Sequence, residues 1–306
     1  MSIACEKLNF GDCISIISPS SPTPKKIIDE SLKKICSLNF NYKIYSHLFD
    51  EKNYLAGEDK DRAKDFNDAL CDKTSKGILF MRGGYGSMRI LDLINFNLIK
   101  KNPKILMGFS DITPILNYVF KKFKIITFHS PMATSDLENI YSRNSLINSI
   151  TIPKNNYYIE NPEGTILKSF SYHKKKASGH IVGGNLSLIC STISTKYEIE
   201  FKNNLLFIEE VNEPPYKIDR MLTHLYLSGK IQKCNGIIFG QFTNCYEKDQ
   251  SEIENLLLEK LSQFKKPCIY NLCSGHGEPR LTIPIGAKAQ IDCNDSSIKI
   301  LENVVI

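Results

Sequence analysis

The chain has 306 residues, of which 42% are hydrophobic and 24% are charged, a composition typical of a globular protein. This length predicts one large or two medium domains. The net charge of +6 comes from 39 Lys and Arg against 33 Asp and Glu, and the lysines are scattered along the chain. Because nucleic-acid-binding proteins concentrate basic residues on one element with interleaved aromatic residues, we do not expect nucleic acid as a partner.

No run of eighteen apolar residues predicts a membrane span, and the N-terminus lacks the basic start, apolar run and cleavage site of a signal peptide. We therefore expect a cytoplasmic protein without a membrane partner. The ten cysteines are dispersed, with no C-x-x-C pair and no histidine at zinc-binding spacing. This pattern predicts reduced thiols and no metal site.

Residues 1–138 alternate short apolar runs with segments of helical periodicity. The pattern predicts strands at 13–18, 42–45, 78–81, 105–107 and 124–128, and helices at 26–38 and 59–70. Such alternation predicts an α/β fold with a mostly parallel sheet and helices on both faces. We expect residues 1–138 to form the first domain.

The second half is also α/β but ends in short strands. After a polar, aperiodic stretch at 139–176, which predicts an inter-domain linker, the pattern predicts strands at 205–208 and 236–240 and helices at 186–193, 216–227 and 252–261. Three short strand-like pieces follow at 281–285, 289–292 and 298–301. We expect residues 177–306 to form a second domain with a β-rich end.

Two glycine-containing turns follow neighbouring strands of the first domain. They read Arg82-Gly83-Gly84-Tyr85-Gly86 and Gly108-Phe109-Ser110-Asp111. Because ligands of open α/β sheets bind outside the carboxyl ends of the strands, both turns are expected to face one crevice. The first turn offers backbone N–H groups, and the second offers a hydroxyl.

Ser110 is the candidate nucleophile of this crevice. A serine on a tight bend between a strand and a helix projects its hydroxyl, and the helix start behind it presents unpaired N–H groups to a developing negative charge. The alternative is that Ser110 only caps the following helix. The pattern is not G-x-S-x-G, because Ile112 replaces the second glycine, and an ordinary α/β-hydrolase elbow is therefore disfavoured.

A serine nucleophile needs a base, and the base needs a carboxylate that orients it. His276 lies between two glycines, which predict an exposed loop, and is the first candidate base; His129 follows a strand of the first domain and is a rival. Glu209 and Glu210 end an apolar strand, and only one of two strand neighbours can face a given cleft. The residue types alone do not show that these groups meet.

Together, these motifs resemble the LD-carboxypeptidase family of serine peptidases, which includes the microcin C immunity peptidases. The matching stretches are 82–86, 108–113, 183–186, 206–210 with 215–222, and 275–277. They follow the family order and span almost the whole chain. Each stretch is weak alone, but five in sequence make the resemblance specific.

The resemblance implies an N-terminal Rossmann-like domain and a C-terminal domain built on a small β-barrel with helices. It implies a catalytic triad in which Ser110 is the nucleophile, His276 the base and later the acid, and Glu209 the orienting carboxylate. It also implies that the backbone N–H groups of Gly84 and Asp111 bind the oxyanion.

For the LD-carboxypeptidases, the implied reaction is release of the terminal D-alanine from a murein tetrapeptide during cell-wall recycling, through an acyl-enzyme and without metal or cofactor. Arg82 or Arg89 is a candidate for binding the substrate carboxylate through a bidentate pair, with an ion pair that supports the turn as the alternative. Asn185, at a helix start, is another candidate contact. The resemblance further implies a homodimer.

An alternative within the same chemistry is an immunity-type peptidase that acts on peptidyl or aminoacyl adenylates. Such a substrate favours aromatic stacking on a purine, and the chain has no tryptophan, although tyrosine or phenylalanine can serve. The murein-type segment Glu213-Pro214-Pro215-Tyr216 also favours the tetrapeptide reaction.

An alternative from another class is a non-catalytic phosphate or nucleotide binder, with residues 82–86 holding an anion at a helix start. The chain contains neither G-x-x-x-x-G-K-[ST] nor a G-x-G-x-x-G fingerprint with an acidic residue about twenty positions on. The binder is therefore the less favoured of the alternatives.

Overall fold

The structure is a computed structural model that describes residues 2–171 and 175–306. Its strands form one sheet of six strands and one of eight, and helices pack against them. Within these two ranges, no helix has the length and apolar character needed to cross a membrane. The α/β class predicted from the sequence is confirmed.

The elements are numbered in chain order. The strands are β1 (Cys13–Ile17), β2 (Asn41–Ile44), β3 (Ser75–Phe80), β4 (Ile105–Gly108), β5 (Thr127–His129), β6 (Tyr157–Tyr158), β7 (Lys168–Phe170), β8 (Lys176–Asn185), β9 (Leu205–Val211), β10 (Gly236–Thr243), β11 (Cys268–Tyr270), β12 (Ile283–Ile285), β13 (Lys288–Asp292) and β14 (Ser297–Ile300). The helices are α1 (Lys25–Ser37), α2 (Asp59–Cys71), α3 (Ser87–Ile90), α4 (Asn97–Lys101), α5 (Thr113–Phe123), α6 (Ile140–Thr151), α7 (Leu186–Thr192), α8 (Pro215–Leu227), α9 (Lys230–Lys233) and α10 (Ser251–Phe264). A 3-10 turn at Ser110–Ile112 leads directly into α5.

The first sheet has the order β12-β5-β4-β3-β1-β2, and β1 to β5 run parallel. Strands β3, β4 and β5 are buried along most of their length, as parallel strands covered on both faces require. Helix α1 contributes to that cover, because Ile28, Leu32 and Ile35 recur at helical spacing and are buried. Since β3 and β4 are parallel neighbours, the turns that follow them lie at the same edge of the sheet.

The second sheet has the order β6-β14-β13-β8-β9-β10-β11-β7. Strands β8 to β11 run parallel, and the outer strands are antiparallel to their neighbours. Closure of this sheet into the small barrel that the resemblance implied is not detected among the described residues. Its parallel centre brings the carboxyl end of β9, with Glu209, toward the first sheet.

Strand β12 connects the two halves of the chain. It comes from the C-terminal half but pairs antiparallel with β5, with Ile283 opposite His129 and Ile285 opposite Thr127. The first sheet is therefore not built from residues 1–138 alone. The loop that precedes β12 is held close to the turn that follows β4.

The stretch predicted as a linker carries regular structure. The side chain of Asn139 caps α6, which buries Leu146 and Ile150, and β6 and β7 form the edges of the second sheet. The isolated polar residues of this stretch hid the helical spacing of the buried ones. Residues 172–174 of the stretch lie outside the described residues.

Candidate active site

Ser110 lies on a sharp turn between β4 and α5. Its φ of 62° is in the left-handed region, which is uncommon and strained for a residue with a side chain. Gly108 makes the bend possible, because a Cβ at this position would lie 2.7 Å from the ring of Phe80. The turn brings Ser110 to the wall of an open cleft.

The Ser110 hydroxyl makes a hydrogen bond with the ring of His276, with 3.0 Å between Oγ and Nε2. The other ring nitrogen, Nδ1, lies 2.7 Å from Oε2 of Glu209. The structure thus brings together three residues that lie far apart in the sequence. The Ser110 hydroxyl contacts an imidazole and caps no helix, contrary to the capping alternative.

The loop that carries His276 is packed against β10 and is less exposed than its glycines suggested. The His276 side chain is 17% exposed. A Cβ on Gly275 would lie 3.1 Å from Gln241, whose side-chain oxygen accepts the N–H of Gly277 at 3.0 Å. The ring of His276 packs on that of Phe109, with 4.8 Å between centroids. The glycines therefore allow a close approach of loop and strand.

Glu209 is fully buried. Burial by itself raises the pKa of this carboxyl, but the charge of His276 and the hydrogen bond with it outweigh burial and hold the pKa of Glu209 below its ordinary value. Glu209 is therefore ionised at neutral pH and accepts a hydrogen bond from the N–H at Nδ1 of His276. That tautomer leaves a lone pair on Nε2, directed at Ser110.

The neighbouring carboxylate, Glu210, points to the other side of β9 and stabilises the start of α7. It accepts hydrogen bonds from the amide of Asn185 at 2.7 Å and from the N–H and hydroxyl of Ser187 at 2.8 and 2.6 Å. Burial raises its pKa. Asn185 also caps α7 and is buried, so its amide is engaged within the fold and is not among the described residues that line the cleft. This position does not support the expected substrate contact of Asn185.

The backbone N–H groups of Gly84 and Asp111 belong to two turns that meet at Ser110. A Cβ on Gly83 would lie 2.9 Å from Cβ of Ser110 and 3.5 Å from the backbone nitrogen of Asp111, so the two turns are in contact. Gly84 has a φ of 106°, and a Cβ at this position would lie 2.3 Å from Oγ of Ser21. Only glycine allows this turn.

The side chain of Asp111 joins the loops around the cleft. Its buried carboxylate accepts the Ser20 hydroxyl at 2.6 Å and the backbone N–H of Ser87 at 2.7 Å, and burial raises its pKa. The buried Arg62 donates to the carbonyl of Gly86 at 3.0 Å. The sequence did not predict the role of Arg62, because nothing distinguishes it from the charged surface residues of α2.

Arg280 also stabilises the loop that carries His276. It is buried and donates to the carbonyl of His276 at 3.2 Å and to the hydroxyl of Ser135 at 3.0 Å. Its guanidinium carbon lies 4.2 Å from the centre of the Phe109 ring. Burial lowers the pKa of Arg280. No local pattern around Arg280 predicts that this arginine is buried.

His129, the rival base, is fully buried and contacts the rings of Phe207 at 5.0 Å and Phe109 at 5.7 Å. It is not among the described residues that line the cleft. The imidazole that meets the Ser110 hydroxyl is that of His276.

The cleft around Ser110 has a volume of about 520 Å³. Arg82 lines it and makes one hydrogen bond, 3.3 Å long, to a backbone carbonyl of the loop after β1. Arg89 makes three hydrogen bonds of 2.9 to 3.0 Å with Asp59 and is not among the described lining residues. Arg82 is therefore better placed than Arg89 to meet an anionic ligand.

Elsewhere in the described residues, His47, Asp50 and Asp61 have ligand atoms within 4.8 Å of one another. The Nδ1 atom of His47 already makes a 2.7 Å hydrogen bond with Asp65. None of these side chains lines the cleft at Ser110.

Two family models match this chain. The LD-carboxypeptidase N-terminal domain matches residues 14–130, and the LD-carboxypeptidase C-terminal domain matches residues 178–291. The chain therefore belongs to the LD-carboxypeptidase family and to the hydrolases, and the resemblance in its motifs is confirmed.

Individual relatives agree with this assignment. The chain is 35% identical to the probable murein peptide carboxypeptidase of Bacillus subtilis over 295 residues, which are 93% of this chain and 90% of that protein. Its fold is similar to that of the microcin C7 self-immunity protein MccF in complex with aspartyl sulfamoyl adenosine, with a TM-score of 0.90 and 23% identity over 99% of this chain and 100% of that chain. A muramoyltetrapeptide carboxypeptidase from Oxalobacter formigenes gives a TM-score of 0.81 and 21% identity, over 94% of this chain and 97% of that chain.

Proposed function

We propose that this protein is a serine carboxypeptidase that releases the terminal D-alanine from murein tetrapeptides. The observation that carries the proposal is the hydrogen-bonded series of Ser110, His276 and Glu209 at an open cleft. A serine hydroxyl becomes nucleophilic when a base accepts its proton and a carboxylate orients that base. The relative in Bacillus subtilis supports the substrate class.

In the acylation step, Oγ of Ser110 attacks the carbonyl carbon of the peptide bond before D-alanine, and Nε2 of His276 accepts the hydroxyl proton. The buried carboxylate of Glu209 stabilises the imidazolium that forms. The negative charge on the carbonyl oxygen is stabilised by the N–H groups of Gly84 and Asp111. His276 then gives the proton to the leaving nitrogen, the C–N bond breaks, and D-alanine departs with its amine.

In the deacylation step, a water molecule attacks the ester carbonyl. His276 accepts one proton from this water and returns it to Oγ of Ser110 as the ester bond breaks. The products are a tripeptide with a free carboxylate and the original enzyme. The step uses the same oxyanion donors, because the same carbonyl oxygen becomes negative.

We assign Arg82 to the terminal carboxylate of the substrate. A carboxypeptidase must recognise the charge at the end of its peptide, and a guanidinium can do so with two parallel hydrogen bonds. Arg82 lines the cleft and is held by one long hydrogen bond, whereas the guanidinium groups of Arg89 and Arg280 are engaged with protein partners.

A second candidate function is hydrolysis of aminoacyl or peptidyl adenylates. One observation favours it: Tyr85, which directly follows Gly84, forms an edge-to-face pair with Tyr54 at 5.7 Å between ring centroids, and the two side chains are 53% and 59% exposed. A purine can stack on an exposed aromatic ring. The similarity to MccF, whose structure holds aspartyl sulfamoyl adenosine, is in agreement.

One experiment compares these substrates. The protein is incubated with L-Ala-γ-D-Glu-diaminopimelate-D-Ala, with the same peptide ending in L-alanine, and with aspartyl sulfamoyl adenosine, and the released amino acid is measured. We expect D-alanine from the first substrate, little product from the other two, and none with Ser110→Ala. Hydrolysis of the sulfamoyl compound without release of D-alanine would reject the murein reaction in favour of the second candidate.

We also propose a cytoplasmic homodimer, on the resemblance alone. Size-exclusion chromatography with light scattering tests the oligomeric state, and a mass of one chain at micromolar concentration would contradict it.

A further inference from the structure

His129 is a buried histidine that the proposed mechanism does not use. It ends β5, where its backbone is paired with Gly108 on β4 and with Ile283 on β12. The first neighbour leads into the Ser110 turn, and the second follows the His276 loop. His129 therefore lies where the segments that carry the nucleophile and the base are joined.

The ring of His129 is enclosed by aromatic side chains. It meets Phe207 edge-on at 5.0 Å and Phe109 at 5.7 Å, and Phe109 in turn packs on His276. Within the described residues, neither ring nitrogen of His129 has a hydrogen-bond partner. A buried polar group without a partner is destabilising. Packing alone therefore does not account for a histidine at this position.

Glu209 carries the acceptor that corresponds to the unpartnered donor of His129. Its Oε2 atom is bonded to His276, whereas its Oε1 atom is buried and meets no donor at hydrogen-bond geometry within the described residues. The Asn185 amide lies near enough to help lower the pKa of Glu209, but its hydrogen bond goes to Glu210 at 2.7 Å. The charged groups that act on the His129 ring are Glu209, His276 and Arg280. Burial is the largest influence and lowers the pKa of His129 to about 4, so the ring is neutral at pH 7 and carries one N–H donor.

We propose that His129 is a positioning residue whose ring N–H binds the second carboxylate oxygen of Glu209 and keeps its other oxygen directed at His276. Phe207, which contacts the His129 ring, lies two residues before Glu209 and therefore on the same face of β9, and a rotation of the ring completes the contact. The donor disperses the negative charge of Glu209. Without it, the carboxylate is more basic and holds the proton of His276 more tightly, so the imidazole becomes a free base only at higher pH. This inference rests on the proposed function.

Two substitutions separate this role from packing. His129→Phe removes the donor and keeps a ring, whereas His129→Asn keeps an N–H donor. We expect His129→Phe to lower kcat for D-alanine release by about 10–100-fold with little change in KM, and to move the acidic limb of kcat/KM to higher pH. His129→Asn should retain most of the activity and the wild-type limb. An equal loss of kcat in both variants, with the acidic limb of kcat/KM at its wild-type pH, would overturn the proposal.

An NMR titration of ring-labelled histidine gives a readout that needs no substrate. We expect the His276 ring to lose its proton at higher pH in His129→Phe than in the wild type or in His129→Asn. An unchanged titration midpoint would overturn the role of His129. A shifted midpoint, combined with no D-alanine release by the wild type, would instead overturn the proposed function.

The wild-type protein alone decides the question if His129→Phe does not fold. The ring N–H of His129 is then expected to exchange slowly with solvent and to resonate downfield, as a proton hydrogen-bonded to a carboxylate does. A His129 ring N–H without a downfield shift would overturn the proposal.

Discussion

Gly83 packs its bare Cα against the side chain of Ser110: a Cβ on Gly83 would lie 2.9 Å from Cβ and 3.0 Å from Oγ of the serine. One turn of the cleft therefore fixes the position of the nucleophile carried by the other. The absence of a side chain at Gly83 is a requirement of the site.

Gly83→Ala is expected to lower kcat for D-alanine release by about 10²-fold, because a methyl group there displaces the Ser110 hydroxyl by a fraction of an ångström to an ångström. Steady-state kinetics and thermal unfolding of the variant measure the effect. The control is Gly77→Ala on β3, the strand that leads into this turn. Its Cβ would lie 3.0 Å from the flexible end of Met107, 3.3 Å from the carbonyl oxygen of Ile105 and 3.6 Å from Leu8, and none of these residues belongs to the site. Wild-type kcat in a folded Gly83→Ala variant would contradict this packing argument.

The two adjacent carboxylates of β9 provide a matched pair. Glu209→Gln should lower kcat by about 10⁴-fold, because the amide cannot stabilise the His276 imidazolium and favours the wrong tautomer. Glu210→Gln should leave kcat near the wild-type value and lower the free energy of unfolding by about 1–3 kcal/mol, because the partners of Glu210 among the described residues are Asn185, Ser187 and the backbone N–H of Val211. Kinetics and urea unfolding measure both effects, and a similar loss of kcat in the two variants would argue against a specific role for Glu209.

Ser110 and His276 are expected to act as one unit. Ser110→Ala and His276→Ala should each remove most turnover, and the double variant should be no slower than the slower single variant, because either change already abolishes proton transfer from the hydroxyl. Single-turnover release of D-alanine by the three variants measures this. Additive losses would mean that the two side chains contribute to separate steps.

Arg82→Ala is expected to lower kcat/KM for the tetrapeptide about 10–150-fold, equivalent to the loss of a charged hydrogen bond of about 1.5–3 kcal/mol. The same substitution should cost little with a substrate whose terminal carboxylate is an amide, because that substrate has no charge to lose. Arg89→Ala is the matched control, since Arg89 is paired with Asp59. A loss in Arg82→Ala that is equal for the acid and the amide would assign Arg82 to support of the turn.

His47 gives the fold a pH dependence that is separate from the active site. A hydrogen bond with Asp65 raises the pKa of His47 from its usual 6.5. A raised pKa in the folded state means that the protonated ring stabilises the fold, with a contribution fully present below the unfolded pKa and lost as pH rises through the folded pKa. His47→Gln should therefore lower the free energy of unfolding at about pH 5.5 more than at about pH 8.5, by up to about 1 kcal/mol because the pair is partly exposed.

Urea unfolding of His47→Gln, Asp65→Asn and the double variant at the two pH values measures this coupling. A loss of stability in His47→Gln that is the same at both pH values would mean that the ring acts through packing.

The parts of the fold that were predictable are those with local signals. Strands β3 and β4 are buried on both faces and read as continuous apolar runs, and α1 shows a regular apolar stripe. Strand β8 was not predicted, because Gly183 and Gly184 read as a turn. In the structure they are part of the strand, since a Cβ on Gly183 would lie 2.0 Å from the carbonyl oxygen of Phe207 on β9. That requirement comes from a neighbour distant in sequence.

The active site likewise combines features with a local sequence signal and features that depend on tertiary contacts. The turn chemistry around Ser110 and the alternation of Glu209 and Glu210 on one strand are local, and the sequence could suggest them. The family resemblance supplied the pairing of Ser110 with His276, which in the structure depends on long-range strand pairing. Arg62 and Arg280 hold the loops from buried positions, and burial of a charged side chain is decided by tertiary packing that leaves no periodic signal.

The pairing of β12 with β5 also has a consequence for folding during synthesis. When the first half has left the ribosome, β5 is still an open edge whose backbone N–H and C=O groups can pair with another chain. The strand that covers this edge is made some 150 residues later along the same chain, from Ile283 to Ile285, and the loop that carries the base is made just before it. Pairing of β12 with β5 therefore does two things at once. It covers the open edge of the sheet against other chains, and it brings the loop of His276 beside Ser110.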